Sequence, residues 1–85
     1  MDTTILFVED NEELRENAAL VLGLEGYAVK LARDGREALD LLDDGFVPDL
    51  IVSDIMMPRM NGYEFFEAVR QKDHLKGVPF IFLTA

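Results

Sequence analysis

The 85-residue sequence has no cysteine, no tryptophan and one histidine. Without cysteine the chain can form neither disulfides nor thiolate metal sites, which fits a reducing compartment. No apolar run approaches the roughly 20 residues of a membrane-spanning helix, and residues 1–4 lack the basic segment of a signal peptide. The sequence therefore predicts a cytoplasmic location and no membrane association.

Basic residues are scarce. Lysine and arginine number 8 against 17 aspartate and glutamate residues, which gives a formal net charge of -9. Because nucleic acids and anionic membranes bind cationic surfaces, direct nucleic-acid binding by this segment is not expected. Cations and basic partners suit the chain better. Its length and its 49% hydrophobic residues fit one small globular domain.

Four short apolar runs alternate with three segments of helical periodicity. The predicted strands are residues 5–8, 27–32, 50–52 extending toward position 54, and 80–83. Strict alternation with short connections predicts right-handed crossovers and one parallel sheet with helices on both faces. The second strand is expected at an edge, where Tyr27 and Lys30 can reach water.

The three helices have predicted ends and predicted buried faces. The expected bounds are Asn11 and Gly26 for the first helix, the N-cap Asp34 and Gly45 for the second, and a stop at Gly77 for the third. The expected buried stripes are Leu14, Ala18, Val21 and Leu22, then Ala38, Leu41 and Leu42, then Phe65, Phe66 and Val69. If the first helix alone covers one face, part of the third and fourth strands lies bare, which indicates an interface or a missing piece.

Acidic and hydroxyl side chains follow three of the predicted strands. Glu9 and Asp10 follow the first strand, Asp54 ends the third, and Thr84 follows the fourth. The carboxyl ends of parallel strands meet at one edge of a sheet, where open α/β sheets bind ligands. Neighbouring carboxylates repel one another unless a cation lies between them, and a site with few carboxylates suits Mg²⁺ with several waters. The sequence therefore predicts a magnesium site at this edge.

Each of these residues also has a purely structural interpretation. The run from Glu9 to Asn11 could simply cap the first helix, Asp54 could form an Asx turn, and Thr84 could be an ordinary strand residue. Their coincidence at one edge favours the metal site. The turn after Asp54 contains Pro58, which cannot donate to a ladder, and Gly62, which is expected there because glycine tolerates positive φ.

The sequence resembles the receiver domain of two-component response regulators. The resemblance rests on the acidic pair in residues 7–10, on Asp54 within residues 52–58, on the turn ending in Asn61-Gly62, and on residues 83–85. It covers the whole chain and implies a flavodoxin-like receiver fold, a doubly wound parallel sheet with strand order 2-1-3-4. A complete receiver continues with a helix, a fifth strand bearing a lysine, and a final helix, so residues 1–85 are expected to be the N-terminal portion of such a domain.

The resemblance also implies roles for individual residues. Asp54 would accept a phosphoryl group from a histidine kinase or phosphotransfer protein, so the chain would be a signalling phosphoacceptor and not an enzyme. Mg²⁺ would be bound by Asp10, Asp54 and the Met56 backbone carbonyl, and through water by Glu9. Thr84 would hydrogen-bond a phosphoryl oxygen. The remaining expected partners are a fused output domain or kinase, and a second copy of the chain meeting it through exposed apolar surface.

Two other functions stay open at this point. A receiver-derived module could bind a partner without phosphorylation, because the phosphate-pairing lysine is not in the sequence. A metal-dependent phosphatase could use an aspartyl nucleophile, but such sites resemble Asp-x-Asp on the first strand, whereas here that strand ends in Glu9-Asp10. We rank the phosphatase last.

Overall fold

Residues 3–83, which the computed structural model describes, form a parallel sheet with helices on both faces. In chain order the elements are β1 (Thr4–Val8), α1 (Glu12–Leu24), β2 (Ala28–Ala32), α2 (Gly35–Asp43), β3 (Leu50–Asp54), α3 (Gly62–Arg70), a 3₁₀ turn (Asp73–Leu75) and β4 (Phe80–Leu83). The strand order is β2-β1-β3-β4 and every neighbouring pair is parallel. The predicted order and the edge position of β2 are therefore confirmed.

The register of the central strands aligns their carboxyl ends. Val8, the last residue of β1, pairs with Ser53 of β3, and Asp54 pairs with Leu83 of β4. The residue after Val8 is consequently level with Asp54. This alignment places the predicted site residues of the first and third strands side by side.

The core lies mainly on the face covered by α2 and α3. Alternate residues of a strand point to opposite faces of the sheet, so Leu6 and Val8 join this core while Ile5 and Phe7 point to the other face. Its fully buried helical members include Ala38, Leu42, Phe65 and Val69. The predicted stripe of α2 needs one correction, because Leu39 is buried and Leu41 only packs against the edge of the core. Phe66 of α3 is likewise half-buried, because it packs on Phe80 and Phe82 of the outermost strand.

The stripe predicted for α1 is largely wrong. Leu14 and Val21 are 56% and 57% exposed, and no residue of α1 is buried. Only Ala18 and Leu22 pack against the small cluster of Ile5, Phe7 and Val52. The reason is that α1 lies alone on its face, so its flanks have no neighbouring helix in residues 3–83.

An open apolar groove follows from this uneven coverage. It has a volume of about 570 Å³. Its walls are Thr3, Ile5, Phe7, Leu22, Tyr27, Leu50, Val52, Ile81 and Leu83. Ile81 remains 48% exposed although it stands on a strand with four consecutive apolar residues. The groove lies where the sequence analysis expected bare surface beside the third and fourth strands.

Two of the three predicted helix stops are confirmed. Gly26 and Gly45 follow the C-caps of α1 and α2 with φ of 94° and 101°, a conformation that glycine adopts without a Cβ penalty. Gly77 does not close the third helix, which ends at Arg70. The Arg70 guanidinium donates to the carbonyls of Leu75, Lys76 and Val78, and so holds the following residues in a separate turn.

No helix within residues 3–83 has both the length and the apolar character needed to cross a bilayer.

Candidate metal centre

Three carboxylates converge at the carboxyl edge of the sheet. Glu9, Asp10 and Asp54 each offer an oxygen, and these oxygens lie within 4.8 Å of one another. Glu9 is buried, Asp54 is half-buried and Asp10 is exposed. They share a cleft of about 460 Å³ with Phe7, Asn11, Leu14 and Leu83. Such a set of hard oxygen ligands, open to water on one side, fits Mg²⁺.

The acidic pair is fixed by the junction between β1 and α1. The Glu9 N–H continues the ladder by donating to the Ala32 carbonyl at 3.0 Å, and Arg15 donates to the Glu9 carbonyl at 3.0 Å. Asn11 is the N-cap of α1, and its side chain accepts from the Leu14 N–H at 3.0 Å. Asn11 therefore caps α1. The carboxylate of Asp10 is not used for capping and lines the cleft.

Asp54 is fixed by a close approach between β3 and the start of α3. A Cβ added to Gly62 would stand 2.3 Å from the Asp54 carbonyl oxygen, and the Gly62 N–H donates to the Ile55 carbonyl at 2.8 Å. The expectation of a positive φ at Gly62 is wrong, because this conformation occurs at Arg59 instead, with φ of 66°. Glycine is required at position 62 because there is no room for a side chain.

The loop between Asp54 and α3 carries the remaining predicted ligand. Met57 is buried in the core, whereas the Met56 side chain is 76% exposed. Asn61 closes the loop as the N-cap of α3 in a reciprocal capping box with Glu64. Met56 thus lies between Asp54, at the end of β3, and the buried Met57. Thr84 lies outside the described residues.

Burial and neighbouring acids raise the pKa of Glu9 from 4.5 to about 7. Burial is the largest cause, followed by the hydrogen bond with Asp10, while the Asn11 N–H acts in the opposite direction. The hydrogen bond with Asp54 and its charge raise the pKa further. Without a cation the cluster thus retains a proton near neutrality, which is the behaviour of carboxylates that share one site.

We expect the metal-free chain to lose stability as the pH rises from about 4.5 to about 7. Over this range Glu9 holds a proton in the folded state and releases it on unfolding, so the folded state binds more protons and a rising pH favours unfolding. At about 1.4 kcal/mol per pKa unit, the free energy of unfolding should fall by at most about 3 to 4 kcal/mol. Denaturant unfolding in EDTA at several pH values measures this.

The Glu9→Gln variant is the control for this prediction. It removes the titrating proton and keeps the side-chain size, so its unfolding free energy should change much less over the same pH interval. A wild-type stability that rises with pH between about 4.5 and about 7 would contradict the prediction.

The structure also assigns roles that sequence reasoning missed. Arg15 holds the Glu9 backbone, and Arg59 pairs with Asp34. The helical position of Arg15 one turn after Asn11 was the available signal for the first contact. Asp34 was recognised as an N-cap, and it does accept from the Glu37 N–H, but nothing in the sequence pointed to its second partner 25 residues away.

This fold and this acidic edge define the chain as a doubly wound α/β protein of the flavodoxin-like kind. The family profile described as response regulator receiver domain matches residues 5–85. Over 85 residues the chain is 42% identical to the response regulator MprA of Mycolicibacterium vanbaalenii, covering 100% of this chain and 36% of that protein. Over 81 residues it is 44% identical to the transcriptional regulatory protein CpxR of Escherichia coli, covering 95% of this chain and 33% of that protein.

Solved structures agree with this relationship. The chemotaxis response regulator CheY4 of Vibrio cholerae matches with a TM-score of 0.90 at 36% identity, over 96% of this chain and 68% of that chain. A signal receiver domain of a histidine kinase from Syntrophus aciditrophicus also reaches 0.90, at 38% identity, over 96% and 61% of the two chains. The chain belongs to the response regulator receiver family. It spans about a third of the length of the curated relatives it matches.

Proposed function

We propose that the chain is the N-terminal portion of a phosphoacceptor receiver domain, in which Asp54 takes a phosphoryl group from the phosphohistidine of a histidine kinase or phosphotransfer protein in the cytoplasm. The observation that carries this proposal is the convergence of the Glu9, Asp10 and Asp54 oxygens within 4.8 Å at the sheet edge. Membership of the receiver family supports it. The chain then acts in signalling and not as an enzyme with a turnover of its own.

The cluster fits Mg²⁺ as the cofactor. Asp10, Asp54 and the Met56 carbonyl would hold the ion, with Glu9 acting through water. Bound Mg²⁺ would neutralise charge on the phosphoryl oxygens and orient them. The raised pKa of Glu9 is consistent with this assignment, because burial and the neighbouring acids make its negative charge unfavourable and a bound cation would offset both.

The residues of the chain account for the transfer itself. A carboxylate oxygen of Asp54 attacks phosphorus in line with the donor, a P–O bond forms, and the P–N bond of the phosphohistidine breaks with its electron pair returning to the imidazole. The Gly62 contact and the Met57 anchor hold the acceptor and its loop in place. Thr84, which follows Leu83 in the sequence, would donate a hydrogen bond to the transferred group.

The experiment that tests the proposal is labelling of the chain by a small phosphodonor, with and without Mg²⁺. We expect stoichiometric, Mg²⁺-dependent incorporation, and binding of a beryllium fluoride phosphate mimic. Absence of both would favour an interaction module that works without phosphorylation. Steady turnover of an external phosphoester would favour the phosphatase.

The open groove supports a partner for the chain. We expect these 85 residues to self-associate by packing one groove on that of a second copy, because the groove residues Tyr27, Ile81 and Leu83 would otherwise remain in water. Sedimentation should show a concentration-dependent dimer, and an apolar dye should bind the dissociated chain. Ile81→Lys, a charge placed on the groove wall, should restore a monomer. A monomer that binds no dye would contradict this prediction.

The output of the domain is a further proposal. MprA is a response regulator and CpxR a transcriptional regulatory protein, and both extend well beyond the matched segment. We propose that this segment likewise works with a fused output domain or kinase. The acidic composition of the segment itself argues that any nucleic-acid contact belongs to such a partner domain.

A further inference from the structure

An ion pair ties the loop after β3 to the start of α2. The Arg59 guanidinium donates from Nη2 to Oδ2 of Asp34, whose side chain is 4% exposed, while that of Arg59 is 66% exposed. The other carboxylate oxygen, Oδ1, accepts the Glu37 N–H at 2.8 Å as the N-cap of α2. Asp34 thus uses its two oxygens to join two separate elements.

Arg59 holds an unfavourable backbone conformation. Its φ of 66° is the one positive value among the non-glycine residues of the described chain, and an L-residue adopts such a conformation only at an energetic cost. Glycine or asparagine would adopt it more easily. A residue held in this way persists where its surroundings fix it, and here the bond to Asp34 and the tight contact of the Met60 N–H with the Pro58 carbonyl do so.

The ion pair borders the acidic cluster. Asp10, which belongs to that cluster, shares a depression of about 550 Å³ with both members of the pair and with Arg33 and Pro58. Met56 precedes Arg59 by three residues in the same loop. Whatever fixes Arg59 therefore also restrains the backbone around the Met56 carbonyl.

The carboxylate of Asp34 is available for this pairing at neutral pH. Burial by itself raises its pKa, but the Glu37 N–H and the Arg59 guanidinium outweigh burial, and the pKa lies below its usual value of 3.8. A buried carboxylate that loses its cationic partner is left with an uncompensated charge, which is costly. The pair is therefore expected to persist rather than exchange with water.

We propose that Asp34 and Arg59 are positioning residues for the divalent cation, because their ion pair anchors the loop of residues 55–61, which carries Met56 and borders the acidic cluster at Asp10. This inference rests on the proposed function. Cutting the pair has two consequences for the cation. The loop loses its anchor, and in a variant of Asp34 the freed guanidinium can pair with Asp10 and compete with the ion.

Simple electrostatics predicts the opposite sign for one variant. Arg59 is a positive charge beside a cation site, so its removal should tighten cation binding if charge alone matters. Positioning predicts weaker binding. Arg33 supplies the matched control, because it lines the same depression and its charge also acts on Asp34, but its side chain pairs with Glu37 and makes no ion pair with Asp34.

The test compares Arg59→Gly, Asp34→Asn and Arg33→Gln in the full chain. Glycine tolerates the backbone conformation of residue 59, and asparagine remains a good N-cap, so both variants cut the pair while sparing the local fold. Calorimetry gives the Mg²⁺ dissociation constant, and thermal unfolding reports the folded fraction. The Mg²⁺ dependence of phosphodonor labelling separates affinity for the ion from the rate at saturation.

We expect Arg59→Gly and Asp34→Asn to raise the Mg²⁺ dissociation constant about tenfold. Loss of a group that orients the metal ligands, without itself binding the metal, commonly has an effect of this size. Arg33→Gln should lower it by about twofold at most, because exposed charges are screened. The labelling rate of Arg59→Gly and Asp34→Asn at saturating Mg²⁺ should equal that of the wild type. Arg59→Lys should recover part of the Mg²⁺ affinity that Arg59→Gly loses.

Three results would overturn the inference. Binding by Arg59→Gly that is as tight as, or tighter than, wild type would show that the charge matters and the position does not. Weakening that appears only where the variant is partly unfolded would show a structural role alone. Absence of Mg²⁺ binding by the wild-type chain would overturn the cation site itself, and with it the proposed function.

Discussion

Replacing Asp54 with asparagine is expected to abolish covalent phosphorylation of the chain. The amide has nearly the same size and hydrogen-bonding shape as the carboxylate, so it should leave the end of β3 intact, but it lacks the nucleophilic oxygen anion that attacks phosphorus. It also removes one of the three charges that surround the proposed cation. The expected result is complete loss of incorporated phosphate together with weaker Mg²⁺ binding.

The measurement is incorporation of phosphate from a labelled small donor in the presence of Mg²⁺. Asp40→Asn is the matched control, because it makes the same chemical change on the exposed surface of α2 and should label like the wild type. Asp10→Asn separates metal binding from acceptance, since it should slow labelling in a way that high Mg²⁺ partly restores. Undiminished label in Asp54→Asn would place the acceptor elsewhere and end the assignment.

Gly62→Ala is expected to lower the free energy of unfolding by about 1 to 3 kcal/mol, the range seen when atoms are forced into a packed site. The new Cβ would stand 2.3 Å from the Asp54 carbonyl oxygen and 2.9 Å from the Ile55 Cα. Both contacts are with backbone, which cannot rotate away as a side chain can. Relief requires α3 and the end of β3 to separate, which also displaces the proposed acceptor.

Gly23→Ala is the control for this substitution. Nothing lies within 4 Å of a Cβ at position 23, and the residue is within α1, so alanine should stabilise the chain by about 0.5 to 1 kcal/mol through helix propensity. Chemical denaturation compares the two variants with the wild type. An unchanged stability for Gly62→Ala, or labelling by that variant at the wild-type rate, would contradict the role given to the close approach.

Local patterns accounted for most of the secondary structure. The apolar runs predicted the four strands at their places along the chain, and the glycines at positions 26 and 45 predicted two helix ends, because these signals depend on residues close together in the chain. The failures involved contacts at a distance. The third helix ends at Arg70, whose guanidinium binds carbonyls of the segment that follows, and the α1 stripe is exposed because α1 has no neighbouring helix within residues 3–83.

The candidate site, like the fold, could be predicted from the sequence only in part. The three acidic residues could be placed at one sheet edge from the alternation of strands and helices, since parallel strands end on the same side. Three features of the site could not be predicted from the sequence. They are the separation of the carboxylate oxygens, the raised pKa of Glu9 and the pairing of Arg59 with Asp34. Each of these depends on which side chains meet across elements far apart in sequence.

By itself, the sequence determined the order of the elements, the acidic edge and the resemblance to receivers. These features depend on hydrophobic periodicity and on strand ends, which involve residues that are adjacent in the chain. Only the tertiary structure decided why position 62 must be glycine, which residue carries the positive φ, and how an ion pair joins the loop after β3 to the start of α2. The physical reason is that steric exclusion and charge pairing act over a few ångströms of space, whatever the distance along the chain.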